Sequence, residues 1–261
     1  MNEEESFVRA YNQLTKEQID TVQKGYFTAK QEGYAGVEPF LQEEMNADKK
    51  ACYFFEAHAF ASAFFPNKET AEITGFFLPH CMNRYEYENF LKEVIRWLRL
   101  QGRKHIYIVG NAFFEKEKAI LDDIFEKPEY AEYFMKKKGT FVPGSFKEKR
   151  MYELEQDGQK IGRCKLESLL SGWYLHGFVI QEEYRNQGKG TEFLEKILQA
   201  LTEQKENNIC SGFTDVFLQV SSKNVPAVTL YEHAGFEISE QRNFYSYKTM
   251  VKRKRIIKNV N

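Results

Sequence analysis

The run Gly177–Thr191, GFVIQEEYRNQGKGT, sets Arg185, Gly188 and Gly190 in the order Arg-x-x-Gly-x-Gly where a β-type run gives way to a helical one. That spacing is suited to holding an anion. The first N–H groups of a helix have no intrahelical partner, and those of Gln187 to Thr191 can converge on one phosphate. Glycines at 188 and 190 remove the Cβ atoms that would hold a phosphate off the backbone. Arg185 and Lys189 add positive charge beside Asn186 and Gln187. A pyrophosphate fits this arrangement; an ordinary glycine-rich strand–helix turn would carry the same short signature. A dinucleotide fingerprint is excluded because no full GxGxxG is present, and a P-loop because GxxxxGK[ST] is absent.

A second segment, VSSKNVPAVTLYEHAGF over 220–236, reads as a short helix with its own punctuation. Asn224 is a good N-cap, Pro226 suits the first turn, and Gly235 is a stop. Tyr231 lies inside the helix and offers a phenol.

Together the two segments resemble the GCN5-related N-acetyltransferase (GNAT) superfamily. Its signature is a Q/R-x-x-G-x-G/A pyrophosphate loop, then a strand, then an Asn…Ala…Leu-Tyr-x-x-x-Gly-Phe helix. Both parts stand here in that order, about 35 residues apart, and the resemblance covers 146–250. It implies an α/β (α+β) fold, a mixed twisted sheet flanked by helices that splays open between strands 173–180 and 214–220. The cofactor implied is acetyl-CoA. Its pantetheine would pair with the backbone of Phe178, Val179 and Ile180, its pyrophosphate would lie on Arg185 to Thr191, and Asn224 and Tyr231 would flank it. Asn224 has a capping role that would explain it equally well.

The reaction implied is attack of a neutral amine on a thioester. A backbone N–H near Phe178 or Val179 would stabilise the oxyanion. Tyr231 matches the family's helix tyrosine, which protonates the departing thiolate; a phenol of pKa about 10 can donate to a thiolate of about 8.5. Packing alone is its other role. Many relatives carry a glutamate base on the strand before the loop, but here the residues are Trp173-Tyr174-Leu175-His176. Strand alternation puts Tyr174, His176, Phe178 and Ile180 on one face, which makes His176 the candidate base. Proton removal through water and backbone is the competing route.

These groups must be positioned by elements the sequence also suggests. Expected are a helix in 17–40, strands over 51–56, 59–65 and 71–78, a helix over 86–100 closed by Gly102, a strand at 105–109 and mostly helix through 116–138. Residues 136–150 read as a connector. After it come a hairpin turning at Asp157-Gly158, a strand at 173–180, a helix at 188–207, a strand at 214–220, a helix at 225–233 and two strands within 236–250.

The halves look alike. A shift of 103 places Phe90, Leu91, Val94, Ile95 and Leu98 on Phe193, Leu194, Ile197, Leu198 and Leu201. Any two amphipathic helices match at some shift, but here the neighbouring elements agree too. At the positions of Gly188 and Gly190 the first half has Tyr85 and Tyr87, whose side chains would fill an anion nest. The expected organisation is a degenerate GNAT-like domain at 1–144, a catalytic domain at 145–250 and a basic tail at 251–261.

The 261-residue chain has 37 basic and 38 acidic residues, a net charge of −1, so no nucleic-acid partner is expected. Lys252-Arg253-Lys254-Arg255 reads as a solvated tail. Cys52, Cys81, Cys164 and Cys210 form no CxxC pair and read as buried free thiols, with no metal site. The acidic N-terminus lacks an apolar core for a signal peptide, and no run reaches the ~20 apolar residues of a membrane span, so a cytoplasmic protein is expected. The expected activity is acetyl transfer to a primary amine of a small molecule; a protein or peptide acceptor, or a non-catalytic acyl-CoA-binding module, are the alternatives.

Overall fold

The computed structural model describes residues 8–9, 15–37, 51–56, 58–141, 148–169, 172–203 and 214–251. In chain order the elements are β1 (Val8–Arg9), α1 (Lys16–Gln31), β2 (Ala51–Glu56), β3 (Ala59–Phe64), β4 (Thr70–Phe77), α2 (Arg84–Leu100), β5 (His105–Asn111), α3 (Glu115–Phe125) and β6 (Tyr130–Phe141). They continue with β7 (Lys149–Gln156), β8 (Gln159–Leu169), β9 (Gly172–Ile180), α4 (Lys189–Glu203), β10 (Thr214–Ser221), α5 (Val225–His233) and β11 (Glu237–Ser246). The chain divides into two compact units, Met1–Ala131 with Arg242–Asn261, and Glu132–Gln241.

In the first unit β2, β3 and β4 pair antiparallel and β4 pairs parallel with β5. Helix α2 starts sharply because Asn83 and Glu86 form a capping box: Asn83 Oδ1 accepts from the N–H groups of Tyr85 and Glu86, and Glu86 accepts from that of Asn83. Its apolar stripe Phe90, Leu91, Val94, Ile95 and Leu98 is buried in one core with Ile73, Ile106, Ile108 and Phe125. Each such side chain contributes roughly 1.5–3 kcal/mol by leaving water. Helix α1 covers the opposite face through Val22, Tyr26 and Ala29, which pack on Tyr53, Phe60 and Phe76.

In the second unit β7, β8 and β9 pair antiparallel, β9 pairs parallel with β10, and β10 pairs antiparallel with β6. The stripe of α4, Phe193, Leu194, Ile197, Leu198 and Leu201, is buried against Trp173, Leu175, Val216 and Leu218. The five residues matched at a shift of 103 therefore face the core in both units.

The two sequence halves repeat the order β-β-β-α-β-α-β, with the same antiparallel, antiparallel, parallel pairing of the first four strands. The last strand of each half departs from it. β6 follows α3, but it pairs with β10. Arg242–Ser246 of β11 follow α5, but they pair with Asn111–Tyr107 of β5.

This pairing corrects three expectations. The helix in 116–138 ends at Phe125, and Tyr130–Phe141 is a strand. Pro128 ends the helical run, and the backbone that follows finds its hydrogen bonds on β10. Lys136 to Phe141 belong to that strand rather than to a connector. The two strands expected in 236–250 are one, β11, closed by a single turn at Tyr247–Thr249. The expected boundary between 144 and 145 lies outside the described residues, as do the tail at 252–261 and Cys210. Of the other cysteines, Cys164 is buried, Cys52 half-buried and Cys81 exposed, the last contrary to expectation. Among the described residues, no helix is long and apolar enough to cross a membrane.

Candidate active site

Strands β9 and β10 pair from Gly172 with Asp215 to Leu175 with Leu218, and there the pairing ends. From His176 to Ile180 the edge of β9 facing β10 is without its ladder, while its other edge still pairs with β8. Such unpaired main-chain groups are available to an extended ligand.

A β-bulge lies at the same place. The register of β8 and β9 slips between the Arg163–Val179 and Lys165–His176 pairs, and Gly177 takes φ +62°. A left-handed residue at this point admits glycine most readily. The extra residue reverses the alternation of side chains. Trp173 and Leu175 before the bulge, and Phe178 and Ile180 after it, all face the core under α4 and α5. Tyr174 and His176 face the other way, their rings stacked with centroids 5.4 Å apart at 14°. The expectation that Tyr174, His176, Phe178 and Ile180 share a face therefore fails, because a two-residue period does not survive an inserted residue. The signal was in the sequence as a glycine inside a strand.

The loop after β9 makes one 3-10 turn, Glu182–Tyr184, and enters α4 at Lys189. Asn186 and Gly188 are both left-handed, at φ +58° and +76°. Alternation of this kind turns successive N–H groups toward one point. Arg185 donates through Nε to the Ile180 carbonyl at 3.0 Å, which ties the loop to the end of the strand. Gln187 is anchored by its side-chain donation to Glu183 O at 2.7 Å. A Cβ on Gly188 would meet no atom within 4 Å, so the glycine is demanded by backbone conformation and not by its own neighbours. Lys189 donates to Glu192 at 3.0 Å, and Lys196 also binds Glu192. These two cations hold the Glu192 carboxyl below its usual range, Lys196 most, and Lys189 is correspondingly less of a free charge than the sequence suggests.

On the opposite side stands α5. Asn224 caps it, with Oδ1 accepting from Ala227 N–H at 3.3 Å. The helix ends at Gly235, φ +83°, where Phe236 N–H donates to Tyr231 O at 3.0 Å. Lys137 donates to the Ala234 carbonyl at 2.6 Å. Tyr231 is buried, its ring edge-to-face with Phe178 and with Phe236. Burial pushes its phenol up to about 12, and Cys164 adds to the rise. Burial likewise pushes the Cys164 thiol up to about 12; its Sγ lies 3.8 Å from the His176 carbonyl. Cys164 and Gly177 are site neighbours that motif spacing did not pick out.

The first unit has the corresponding opening in a different setting. Pairing of β4 with β5 covers four pairs, from Thr70 with His105 to Ile73 with Ile108, and ends there. β3 and β4 keep one register throughout, with no bulge at Gly75. Tyr87 stacks on Phe77 at 4.6 Å in the core, and Tyr85 is exposed. Glu117 fills the end of the opening, accepting from Gly36 N–H at 3.0 Å and Asn111 N–H at 2.9 Å.

The opened parallel strand pair thus stands beside a glycine loop at a helix start, with the capped helix α5 nearby. Residues 147–238 match the model of the acetyltransferase (GNAT) domain. This part of the chain is a GNAT acetyltransferase domain. It is similar to the spermine/spermidine N(1)-acetyltransferase of Bacillus subtilis (strain 168), 27% identical over 145 residues that cover 54% of this chain and 82% of the relative. The [ribosomal protein bS18]-alanine N-acetyltransferase of Escherichia coli (strain K12) is 26% identical over 107 residues, 41% of this chain and 68% of the relative. In fold the chain is similar to a GCN5-related N-acetyltransferase from Sphaerobacter thermophilus, with TM-score 0.59 at 13% identity over 88% of this chain and 92% of that one. A tandem GNAT protein from the clavulanic acid biosynthesis pathway gives TM-score 0.54 at 11% identity, over 92% of this chain and 97% of the other.

Proposed function

We propose that the protein transfers the acetyl group of acetyl-CoA to a primary amine of a small molecule. The observation that carries this reading is the end of the β9–β10 ladder at Leu175–Leu218, beside the left-handed loop Asn186–Gly188. The pantetheine arm runs along the unpaired backbone of Phe178, Val179 and Ile180. The pyrophosphate lies on the N–H groups of Gln187 to Thr191, with Arg185 and Lys189 at its edge and Asn186 shaping the turn. Asn224 spends its side-chain oxygen on the cap, which leaves its amide nitrogen to donate to the cofactor.

The bulge gives the chemistry two sides. The amine approaches from the side of His176, which takes its proton. The nitrogen lone pair attacks the thioester carbonyl, and the oxyanion is held by a backbone N–H near Phe178 or Val179. When the C–S bond breaks, the thiolate takes a proton from Tyr231 on the other side. A phenol near 12 is a weak acid, but the burial that raises it would raise the pKa of a thiolate formed against it in the same sense, which keeps the transfer feasible.

The first unit is a degenerate GNAT-like domain that binds no CoA. Tyr87 in its core and Glu117 across its opening support this reading. A protein acceptor is the second reading, supported by the similarity to a relative named for alanine acetylation on a ribosomal protein. Calorimetry with acetyl-CoA, followed by thiol release with a panel of small amines and of N-terminal peptides, tests all three. Absence of acetyl-CoA binding would sink the proposal, and turnover of peptides alone would replace it with the second reading.

A further inference from the structure

The side of the second unit's sheet away from α4 and α5 carries a group of side chains that the acetyl-transfer scheme leaves mostly unused. Tyr174 and His176 stack there, and Phe217 of β10 stands in register with Tyr174. All three are half-buried. His176 is the first residue of β9 past the Leu175–Leu218 pair, so this stack borders the opened end of the strand. One strand over, Lys165 lies opposite His176 and Arg163 opposite Val179. Directly opposed residues of an antiparallel pair share a face, about 4.5–5.5 Å apart at Cβ. Lys165 therefore stands beside the imidazole, with Arg163 two positions away along β8 on the same face.

The charge on this face is uneven. Glu167, opposite Tyr174, is taken by Lys149 at 3.3 Å. Glu153, opposite Arg163, is taken by Lys160 at 2.7 Å, and Asp215 by Lys136 at 2.5 Å. Among the described residues Arg163 and Lys165 have no carboxylate partner, and both are exposed. The end of the face nearest the opened strand is thus locally positive, with an aromatic shelf between the cations and the place where the thioester must lie.

We infer that the acceptor is an amine bearing both an aromatic ring and a carboxylate, with its ring on the Tyr174–His176 stack and its carboxylate between Arg163 and Lys165. This rests on the proposed acetyl transfer at the β9–β10 opening and deepens it by naming the acceptor class. A stacked ring adds its own increment beyond area burial, and guanidinium–carboxylate bonds are the stronger charge-assisted kind. A polyamine is disfavoured by the same charges, since its remaining ammonium groups would sit against Arg163 and Lys165.

The test uses the full chain saturated with acetyl-CoA and four probes: phenylalanine, phenethylamine, which lacks the carboxylate, leucine, which lacks the ring, and spermidine, a polycation. Thiol release gives kcat/KM for each, and equilibrium dialysis against the CoA-loaded protein gives binding. Phenylalanine is expected to exceed phenethylamine and leucine by about tenfold each, with spermidine lowest. The double variant Arg163→Ala/Lys165→Ala should raise KM for phenylalanine about tenfold and leave phenethylamine unchanged. Preference for spermidine, equal loss for both aromatic amines in the variant, or no phenylalanine binding at millimolar concentration to protein that does bind acetyl-CoA would each overturn the inference. Failure to bind acetyl-CoA at all would instead overturn the acetyl-transfer reading beneath it.

Discussion

Phe178 and Tyr231 meet edge to face, ring centroids 6.2 Å apart and planes at 74°, and this contact joins the bulged strand β9 to helix α5. It exists because the bulge at Gly177 turns Phe178 toward the helices. The same residue leaves His176 on the other side. In the proposed reaction, acid and base would then be separated by the backbone that would hold the thioester, which suits a nucleophile that enters and a leaving group that departs on different sides.

Tyr231→Phe keeps the ring and its packing on Phe178 and Phe236 and removes the proton donor. Acetyl-CoA affinity should stay within about twofold while kcat falls by ~10²-fold. Steady-state rates with any amine that turns over check this. An unchanged kcat with chemistry rate-limiting would reduce Tyr231 to a wall of the site.

Gly188→Tyr tests the loop. No atom lies within 4 Å of the new Cβ, so the fold should survive, at a cost of about 1–2 kcal/mol for a left-handed non-glycine residue. The ring would occupy the phosphate position, and the thermal shift that acetyl-CoA gives the native protein should vanish. A normal shift in the variant would move the pyrophosphate elsewhere.

Glu117→Ala should separate stability from cofactor binding. Removal of the carboxylate leaves the Gly36 and Asn111 N–H groups unpaired in a buried setting, a loss of about 2–4 kcal/mol. Urea denaturation should register that loss, while calorimetry should still give one acetyl-CoA per chain. Two sites per chain, before or after the substitution, would end the view of the first unit as non-binding.

Stability should fall at alkaline pH. Burial raises the Tyr231 phenol from its ordinary 10 to about 12 in the folded state, so between those values the native protein holds a proton that the unfolded chain gives up. The associated stabilisation is complete below pH 10 and is lost as pH rises toward 12. Cys164 acts in the same sense from about 9 upward. Urea midpoints followed from pH 8 to 12 should decline, and the decline should be shallower in Tyr231→Phe.

Much of the site was legible in the chain. The Arg185–Gly190 spacing, the Asn224 cap and the Gly235 stop are local signals, set by which backbone conformations glycine admits and which side chains satisfy helix ends. The stripes on α2 and α4 were equally local, since a period of 3.6 is written in consecutive residues, and both stripes face their cores as expected.

What the sequence alone determined is therefore the two apolar-striped helices, most of the strands around them, and the loop and capped helix beside the opening. What only the tertiary structure decided is pairing over long separations. That Tyr130–Phe141 is a strand follows from β10 offering it a partner far along the chain, with Ser221 opposite Glu132. That His176 and Phe178 face opposite ways follows from a register fixed by β8. That Glu117 meets Gly36, 81 positions earlier, follows from how the first unit packs. Hydrogen bonds between distant segments leave no periodic trace in either segment, so local reading of the chain cannot see them.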